Sequence, residues 1–194
     1  MSGAGIVYKF CSYIDSLLGI KYATDNLIDL AALGIISDMV SLKDFETRHI
    51  ITKGLSNITN PFFSAMVETQ SYSLGEEITP IGVAFYITPY INATIRSGTI
   101  EEKIALFEAM LEFKAHEVIP STKRGCAGQV EERVTQVCRN CANIKNRQAK
   151  TRDNNLIIIE NLIQGKGLLS NKILVVQLDE EHAIDKNLTG LIAN

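Results

Sequence analysis

The stretch DLAALGIISDMVSL, residues 29–42, combines a long apolar run with two aspartates. Apolar side chains occupy nearly every side of the helix that would carry Leu27 to Ile35, and Asp25 is a suitable cap for its start. A helix that is apolar almost all round is normally buried. The stretch therefore predicts a central helix that ends close to Asp38.

Asp38 is unusual because its neighbours in the sequence are Ile35, Ile36, Met39 and Val40. A carboxylate in apolar surroundings is costly unless it is hydrogen-bonded, paired with a cation or bound to a metal. The alternative is that Asp38 caps a turn or the following helix, as aspartates often do. The same alternative holds for Asp29.

Helical periodicity continues along much of the chain. The first three predicted helices are residues 4–18 with Gly19 as C-cap, about 42–55 after a cap at Ser41, and a short helix through 62–67. The capping box of Thr99 and Glu102 predicts the start of a fourth helix, whose inner side would carry Ile100, Ile104, Phe107 and Leu111. Residues 129–164 predict one long helix or two abutting ones.

Two segments are rich in β-branched and aromatic residues. IGVAFYIT, residues 81–88, and KILVVQL, residues 172–178, predict buried strands. The loop PYINATIRSG, residues 89–98, then places Asn92 and Arg96 just past the carboxyl end of the first strand, where ligands of open α/β sheets bind. Arginine offers a planar fork for phosphate oxygens. The alternative is that these are unremarkable loop residues.

Positive charge is concentrated between residues 119 and 152, although the whole chain has a net charge of −3. The eight cations are Lys123, Arg124, Arg133, Arg139, Lys145, Arg147, Lys150 and Arg152, against Glu131 and Glu132. Such a run on a helix is suited to tracking the phosphates of a nucleic acid. The alternative is a solvated helix face.

Cys138 and Cys141 form a C-x-x-C pair, with Cys126 and His116 upstream. Four such groups can bind zinc, but the spacing is irregular and the pair falls inside the predicted long helix. Packing is the preferred interpretation of these cysteines. His49, His116 and His182 have no carboxylate or nucleophile at a recognised spacing, and no phosphate-binding glycine loop is present.

Length and composition indicate a globular protein of 194 residues with one domain or two small ones. The first residues do not form a secretory signal, and no apolar run is long enough to cross a bilayer. Four cysteines in a chain of this size favour a reducing compartment. These features predict a cytoplasmic protein without membrane contact.

Four ordered segments resemble the RecJ branch of the DHH phosphoesterase family. They are SGAGIVYKF (2–10), DLAALGIISDMVSL (29–42), ETRHIITKGL (46–55) and PYINATIRSG (89–98). Four matches in the family's order form a specific set, which covers residues 2–115 well and the remainder only in outline.

The resemblance implies hydrolysis of phosphodiesters with two divalent metal ions, manganese or magnesium. Asp38 matches a metal-binding catalytic aspartate of the family, and Asn92 and Arg96 match a motif that binds substrate phosphate. The basic helix matches a connector beside which single-stranded DNA would run. The implied activity is 5′-to-3′ exonuclease activity on single-stranded DNA in recombination or repair.

The resemblance also implies that part of the site is missing. The family's other aspartate motifs and its DHH motif would precede Ser2, and Tyr90 and Ile95 depart from its loop motif. His182 falls near a histidine of the associated domain, but out of register. We therefore expect a fragment that is inactive alone and that exposes a face able to drive homo-oligomerisation.

The expected fold class is helix-rich α/β. Residues 1–117 would be the C-terminal part of a DHH domain, residues 118–165 a basic connector helix region, and residues 166–194 the truncated start of a DHH-associated domain. Two other functions remain open: a different DHH phosphoesterase acting on oligonucleotides or cyclic dinucleotides, and a fragment that binds single strands without cleaving them.

Overall fold

The structure, a computed structural model, describes residues 1–21, 23–179, 184 and 186–193. The helices are α1 (Gly3–Leu18), α2 (Ile28–Ser37), α3 (Phe45–Ser56), α4 (Pro61–Thr69), α5 (Ser71–Leu74), α6 (Pro80–Tyr86), α7 (Thr88–Ser97), α8 (Ile100–Met110), α9 (Glu112–Ala115), α10 (Arg133–Gly165) and α11 (Thr189–Ile192). Strands β1 (Val118–Pro120) and β2 (Val130–Glu132) form an antiparallel hairpin. Short 3₁₀ turns lie at Asp25–Leu27, Leu168–Ser170 and Lys186–Leu188.

The predicted central helix is confirmed as α2, which packs against both α1 and α3. Close packing is possible because glycines face small residues. A Cβ on Gly34 would collide with Ala4 of α1, and a Cβ on Gly54 of α3 would come within 2.6 Å of Ala32. Ala32 is completely buried at the contact with Gly54, and Ile35 of α2 is completely buried against Gly5 of α1. The apolar run of α2 therefore sets the spacing of the first three helices.

Asp29 also belongs to this core and is fully buried. Its carboxylate accepts hydrogen bonds from the backbone N–H groups of Leu30 (2.7 Å), Thr59 (2.8 Å) and Asn60 (2.7 Å). These donors replace the water that the charge loses on burial. Asp29 thus ties α2 to the turn before α4, where Asn60 in turn caps α4.

The second half of the core lies between α4, α7, α8 and α10, and α6 packs on α2 and α7. Its buried side chains include Phe62, Phe63, Met66, Val83, Leu106, Val134, Val137 and Cys141. The predicted long helix is confirmed as one continuous helix, α10, and its apolar side chains Val134, Val137 and Cys141 face this core. The capping box that opens α8 is also confirmed.

The predicted strand at 81–88 is wrong, because these residues form α6 and the start of α7. Thr79 caps α6 by accepting a hydrogen bond from Gly82, and Pro80 occupies its first turn. Val83 and Ile87, one helical turn apart, are fully buried. A short apolar run does not distinguish a buried strand from a helix, and here the cap and the spacing of four prevail.

The predicted loop at 89–98 is likewise wrong, because it forms α7. The inner side of α8 was also assigned to the wrong residues. Leu106 and Ala109 are buried there, whereas Ile104 and Phe107 are 53% and 64% exposed.

The predicted strand at 172–178 is wrong as well. The segment is irregular, and Ile173 and Val175 are 75% and 70% exposed. Within the described ranges, β1 and β2 pair only with each other, so this segment has no strand beside which to form a ladder. His182 lies outside the described residues. In the part of the chain that the structure describes, no helix is long and apolar enough to span a bilayer.

Candidate active site

Asp38 lies at the C-terminal end of α2, and its N–H donates to the Gly34 carbonyl at 3.1 Å. Ile35 and Ile36 point into the core, whereas Asp38 and Met39 are exposed. The desolvation cost expected from the apolar sequence therefore does not arise. The Asp38 carboxylate forms no hydrogen bond or ion pair within the described residues, so it is free to bind a ligand from solvent.

Asn92 and Arg96 lie one turn apart on the same side of α7. Thr88, one further turn towards the start of α7, places its hydroxyl 3.1 Å from that of Ser37, the residue before Asp38. At the helical rise of 1.5 Å per residue, Asn92 and Arg96 lie about 6 Å and about 12 Å along the axis from Thr88. The structure thus brings the end of α2 together with the start of the helix that carries both predicted phosphate-binding residues.

Arg96 is exposed and makes no ion pair within the described part of the chain, and Asn92 is half-buried. An exposed arginine without a carboxylate partner can give its whole fork to a phosphate. Helix α7 carries the Asn92 amide and the Arg96 guanidinium on the same side, about one turn apart. The two groups can therefore contact neighbouring groups of one nucleotide chain.

Helix α7 is fixed from behind by α10. Lys145 lies over the ring of Tyr90, with Nζ 4.1 Å from the centroid. Gln148 donates to the Ser97 hydroxyl at 2.8 Å, and Arg147 pairs at 2.8 Å with Glu102 at the start of α8. Two of the eight predicted DNA-tracking cations therefore position the candidate site.

Three further cations of the predicted set are held by carboxylates. Arg133 pairs with Glu108 and Glu117, Arg139 binds Glu131 with both terminal nitrogens, and Arg152 pairs with Asp153. The predicted excess of positive charge is therefore reduced. The count of charged residues between 119 and 152 did not include Glu102, Glu108 and Glu117. These three carboxylates precede this range in the sequence and contact its cations only in the folded chain.

The remaining cations are exposed and without an ion pair in the described chain. Lys123 and Arg124 lie at the tip of the β1–β2 hairpin, and Lys150 lies on α10. The eight side chains therefore do not form a continuous basic stripe. Whether these three contact DNA stays a prediction.

The cysteines of the C-x-x-C pair lie in the core, where burial raises the pKa of both thiols, that of Cys138 to about 12. His116 lies apart from them, 3.0 Å from Glu132 across the base of the hairpin. Among the described residues, no three His, Cys, Asp or Glu side chains are close enough together to hold a metal ion.

Sequence reasoning missed the residues that position the site. Ser37 and Thr88 lie 51 positions apart and carry no motif of their own. The available signal for Thr88 was its spacing of four and eight residues from Asn92 and Arg96, which would have indicated a helix rather than a loop.

No protein-family model matches the chain. It is 35% identical, over its whole length, to a candidate SPbeta prophage-derived single-strand DNA-specific exonuclease, YorK, of Bacillus subtilis (strain 168). It is 32% identical, over 61% of its length, to the single-stranded-DNA-specific exonuclease RecJ of the same organism. The chain spans 33% of the length of YorK and 14% of that RecJ.

The fold is also similar to that of RecJ from Thermus thermophilus, solved in complex with Mg²⁺. The TM-score is 0.51 at 20% sequence identity, and the match covers 75% of this chain and 20% of the RecJ chain. This likeness concerns the fold. Sequence and fold together show that the chain is RecJ-like and corresponds to part of the length of these exonucleases.

Proposed function

We propose that the chain is part of a metal-dependent 5′-to-3′ exonuclease for single-stranded DNA, of the DHH phosphoesterase type, that acts in recombination or repair. The observation that carries the proposal is the contact between Ser37 and Thr88, because it joins the Asp38 segment to the Asn92 and Arg96 helix. The names of YorK and RecJ support the same substrate class.

In this proposal Asp38 is one ligand of a divalent metal ion, manganese or magnesium. An exposed carboxylate without a protein partner suits these cations, which prefer oxygen ligands. The described residues fit the metal site only in part, since no cluster of three ligands is present among them. Cleavage therefore needs ligands beyond those described, and we expect this chain alone to bind strands without digesting them.

Asn92 and Arg96 would hold a phosphate of the bound strand. The guanidinium of Arg96 donates in pairs to phosphate oxygens, and the Asn92 amide donates one turn closer to Asp38. Lys123, Arg124 and Lys150 would add weaker contacts to more distant phosphates. Arg133, Arg139, Arg147 and Arg152 would instead stabilise the surface on which the strand lies.

The proposed domain division follows the same assignment. Residues 1–117 would belong to the catalytic domain, residues 118–165 to the connector, in which the hairpin precedes α10, and residues 166–194 to an associated domain. We place the activity in the cytoplasm, in keeping with four free cysteines. Homo-oligomerisation through the exposed side of α1 is part of the proposal.

A second candidate function is single-strand binding without hydrolysis. It is favoured by one observation, the lack of a three-ligand cluster among the described residues. Hydrolysis of oligonucleotides or cyclic dinucleotides by another DHH-type enzyme is a further alternative. The identity to YorK along the whole chain favours the exonuclease.

The proposal is tested by fluorescence anisotropy of a labelled single strand at several salt concentrations. We expect binding that is stronger for single-stranded than for duplex DNA and that weakens with salt. Arg96→Ala should reduce the slope of log affinity against log salt by about 0.7, which is one single-strand phosphate contact. The matched control is Lys53→Ala, an exposed cation on α3, which should leave the slope unchanged. Equal slopes for Arg96→Ala and wild type would contradict the phosphate role.

A further inference from the structure

An apolar groove lies directly beside Asp38, between the end of α2 and helix α6. It encloses about 190 Å³ of space and is open to solvent on one side. Six of its lining residues carry the argument: Ile36, Met39 and Val40 from the α2 side, and Ile81, Ala84 and Phe85 from α6. Every residue that lines this groove has an apolar side chain.

The walls of the groove are strongly exposed. Met39, Ile81 and Phe85 are 78%, 71% and 66% accessible to solvent. Apolar side chains grouped at this exposure mark a surface that binds something, because isolated apolar residues are common on protein surfaces but contiguous ones are not. The candidate active site therefore has an apolar neighbour that the phosphate contacts do not explain.

Met39 has a left-handed backbone, with φ of 51°, which residues other than glycine rarely adopt. The strained residue directly follows Asp38 and forms one edge of the groove. Residues in such conformations cluster at ligand sites, where the surrounding structure holds them.

The size of the groove and the charges next to it indicate the ligand class. A volume of about 190 Å³ is below the range of about 300–1,000 Å³ typical of sites for whole drug-sized ligands, so it suits a single planar ring system. Lys43 directly follows the lining residue Leu42, is exposed and makes no ion pair in the described chain, and Asp38 directly precedes the lining residue Met39. An apolar groove with a free cation on one side and a candidate metal ligand on the other is complementary to a base whose phosphate lies beside it.

We propose that this groove is a base-binding subsite in which one unpaired nucleobase stacks on Phe85 while the strand passes Asp38. The inference rests on the proposed function. Every base has a flat face, so stacking of this kind accepts any sequence. A base engaged in a duplex cannot enter the groove without leaving its pair. The subsite therefore selects single strands independently of the phosphate contacts.

The test uses the full chain and two fluorescent probes. One is a single strand of about 12 nucleotides, and the other is an abasic strand of the same length, which has the same phosphates without bases. The variant is Phe85→Ala. Its matched control is Phe107→Ala, because Phe107 is 64% exposed on α8, away from the groove. Circular dichroism and thermal unfolding establish that both variants are folded, and Phe85→Trp restores an aromatic face.

We expect wild type to bind the normal strand more tightly than the abasic one. Phe85→Ala should weaken binding of the normal strand by about 5- to 100-fold and leave binding of the abasic strand unchanged. Phe85→Trp and Phe107→Ala should behave as wild type. A 2-aminopurine base in the strand should lose fluorescence on binding to wild type but not to Phe85→Ala.

Three results overturn the subsite. The first is equal affinity of wild type for the normal and the abasic strand. The second is a loss of affinity in Phe85→Ala that is equally large for both strands. In either case salt-dependent binding that needs Arg96 would leave the proposed function intact. The third is a change of oligomeric state in Phe85→Ala without a change in strand binding, which would assign the groove to a protein contact. If wild type binds neither strand, both the subsite and the proposed function are wrong.

Discussion

The hydroxyl groups of Ser37 and Thr88 lie 3.1 Å apart and join the end of α2 to the start of α7. Thr88 is buried and Ser37 is half-buried, so this contact is partly shielded from water. Because Asp38 follows Ser37 and Asn92 follows Thr88 by one turn, the contact sets the separation between the candidate metal ligand and the candidate phosphate-binding residues. The proposed function depends on this arrangement.

Substitution of the two aspartates of the DLAALGIISD segment should change stability by very different amounts. Asp29→Ala removes the acceptor for three backbone N–H groups, one of them buried and two partly buried, so we expect a loss of about 3 kcal/mol in the free energy of unfolding. Asp38→Ala should change it by less than about 0.5 kcal/mol, since that side chain is exposed. Urea unfolding measures both, and similar losses for the two variants would contradict the assignment.

Arg133 should be the most important of the basic residues for stability. Its side chain is 15% exposed and bridges Glu108 and Glu117. We expect Arg133→Ala to lower the free energy of unfolding by about 2 kcal/mol, because Glu108 loses its ion-pair partner and Glu117 keeps only Lys114. Lys150→Ala is the matched control on the same helix and should have an effect below about 0.5 kcal/mol. Thermal unfolding of the two variants measures both effects. An Arg133→Ala variant as stable as wild type would show that the ion pairs of Arg133 do not stabilise the fold.

Acid should weaken the hairpin through Glu131. Hydrogen bonds from Arg139 lower the pKa of this carboxyl from 4.5 to about 2. A carboxyl whose pKa is lower in the folded state contributes stability above pH 4.5, and that contribution is lost as the pH falls towards 2. Glu131→Gln should therefore be less stable than wild type at neutral pH. Its stability should also fall less than that of wild type as the pH is lowered from 4.5 towards 2. Thermal melts at a series of pH values would show parallel curves if the pair contributes nothing.

Self-association should depend on the outer side of α1. Ile6, Phe10, Tyr13 and Leu17 recur there at helical spacing and are each about 60% exposed. We expect wild type to form dimers at high concentration and Phe10→Glu to raise the dissociation constant at least about 10-fold, since it places a charge in an apolar contact. Phe113→Glu, on α9, is the control. Sedimentation of wild type as a monomer at every concentration would refute the proposal.

The sequence predicts the helices whose signals are local. Gly19 ends α1, and Thr99 with Glu102 opens α8, because caps are recognised within a few residues. The apolar run of α2 likewise predicts its burial without knowledge of the neighbours. For these elements local preference and tertiary packing agree.

The parts that depend on distant partners were not predictable. Residues 81–88 have a strand-like composition. They nevertheless form α6 and the start of α7, because Val83 and Ile87, four residues apart, are buried together on one side of a helical backbone. The role of Arg133 depends on Glu108, 25 positions earlier, which no count of local charge includes. The apolar neighbours of Asp38 in the sequence indicate apolar surroundings, but its side chain is exposed, because α2 ends there at the edge of the core.

Manganese-induced line broadening in the amide NMR spectrum tests the central claim most directly, because it locates even a weak site. The paramagnetic ion broadens signals of nearby residues, and a single exposed carboxylate is expected to bind it weakly. We expect selective broadening of the signals of residues 37–40 and of the start of α7, and we expect this broadening to be lost in Asp38→Ala. Broadening that leaves these residues unaffected, or that persists unchanged in Asp38→Ala, would contradict a metal site at the junction of α2 and α7.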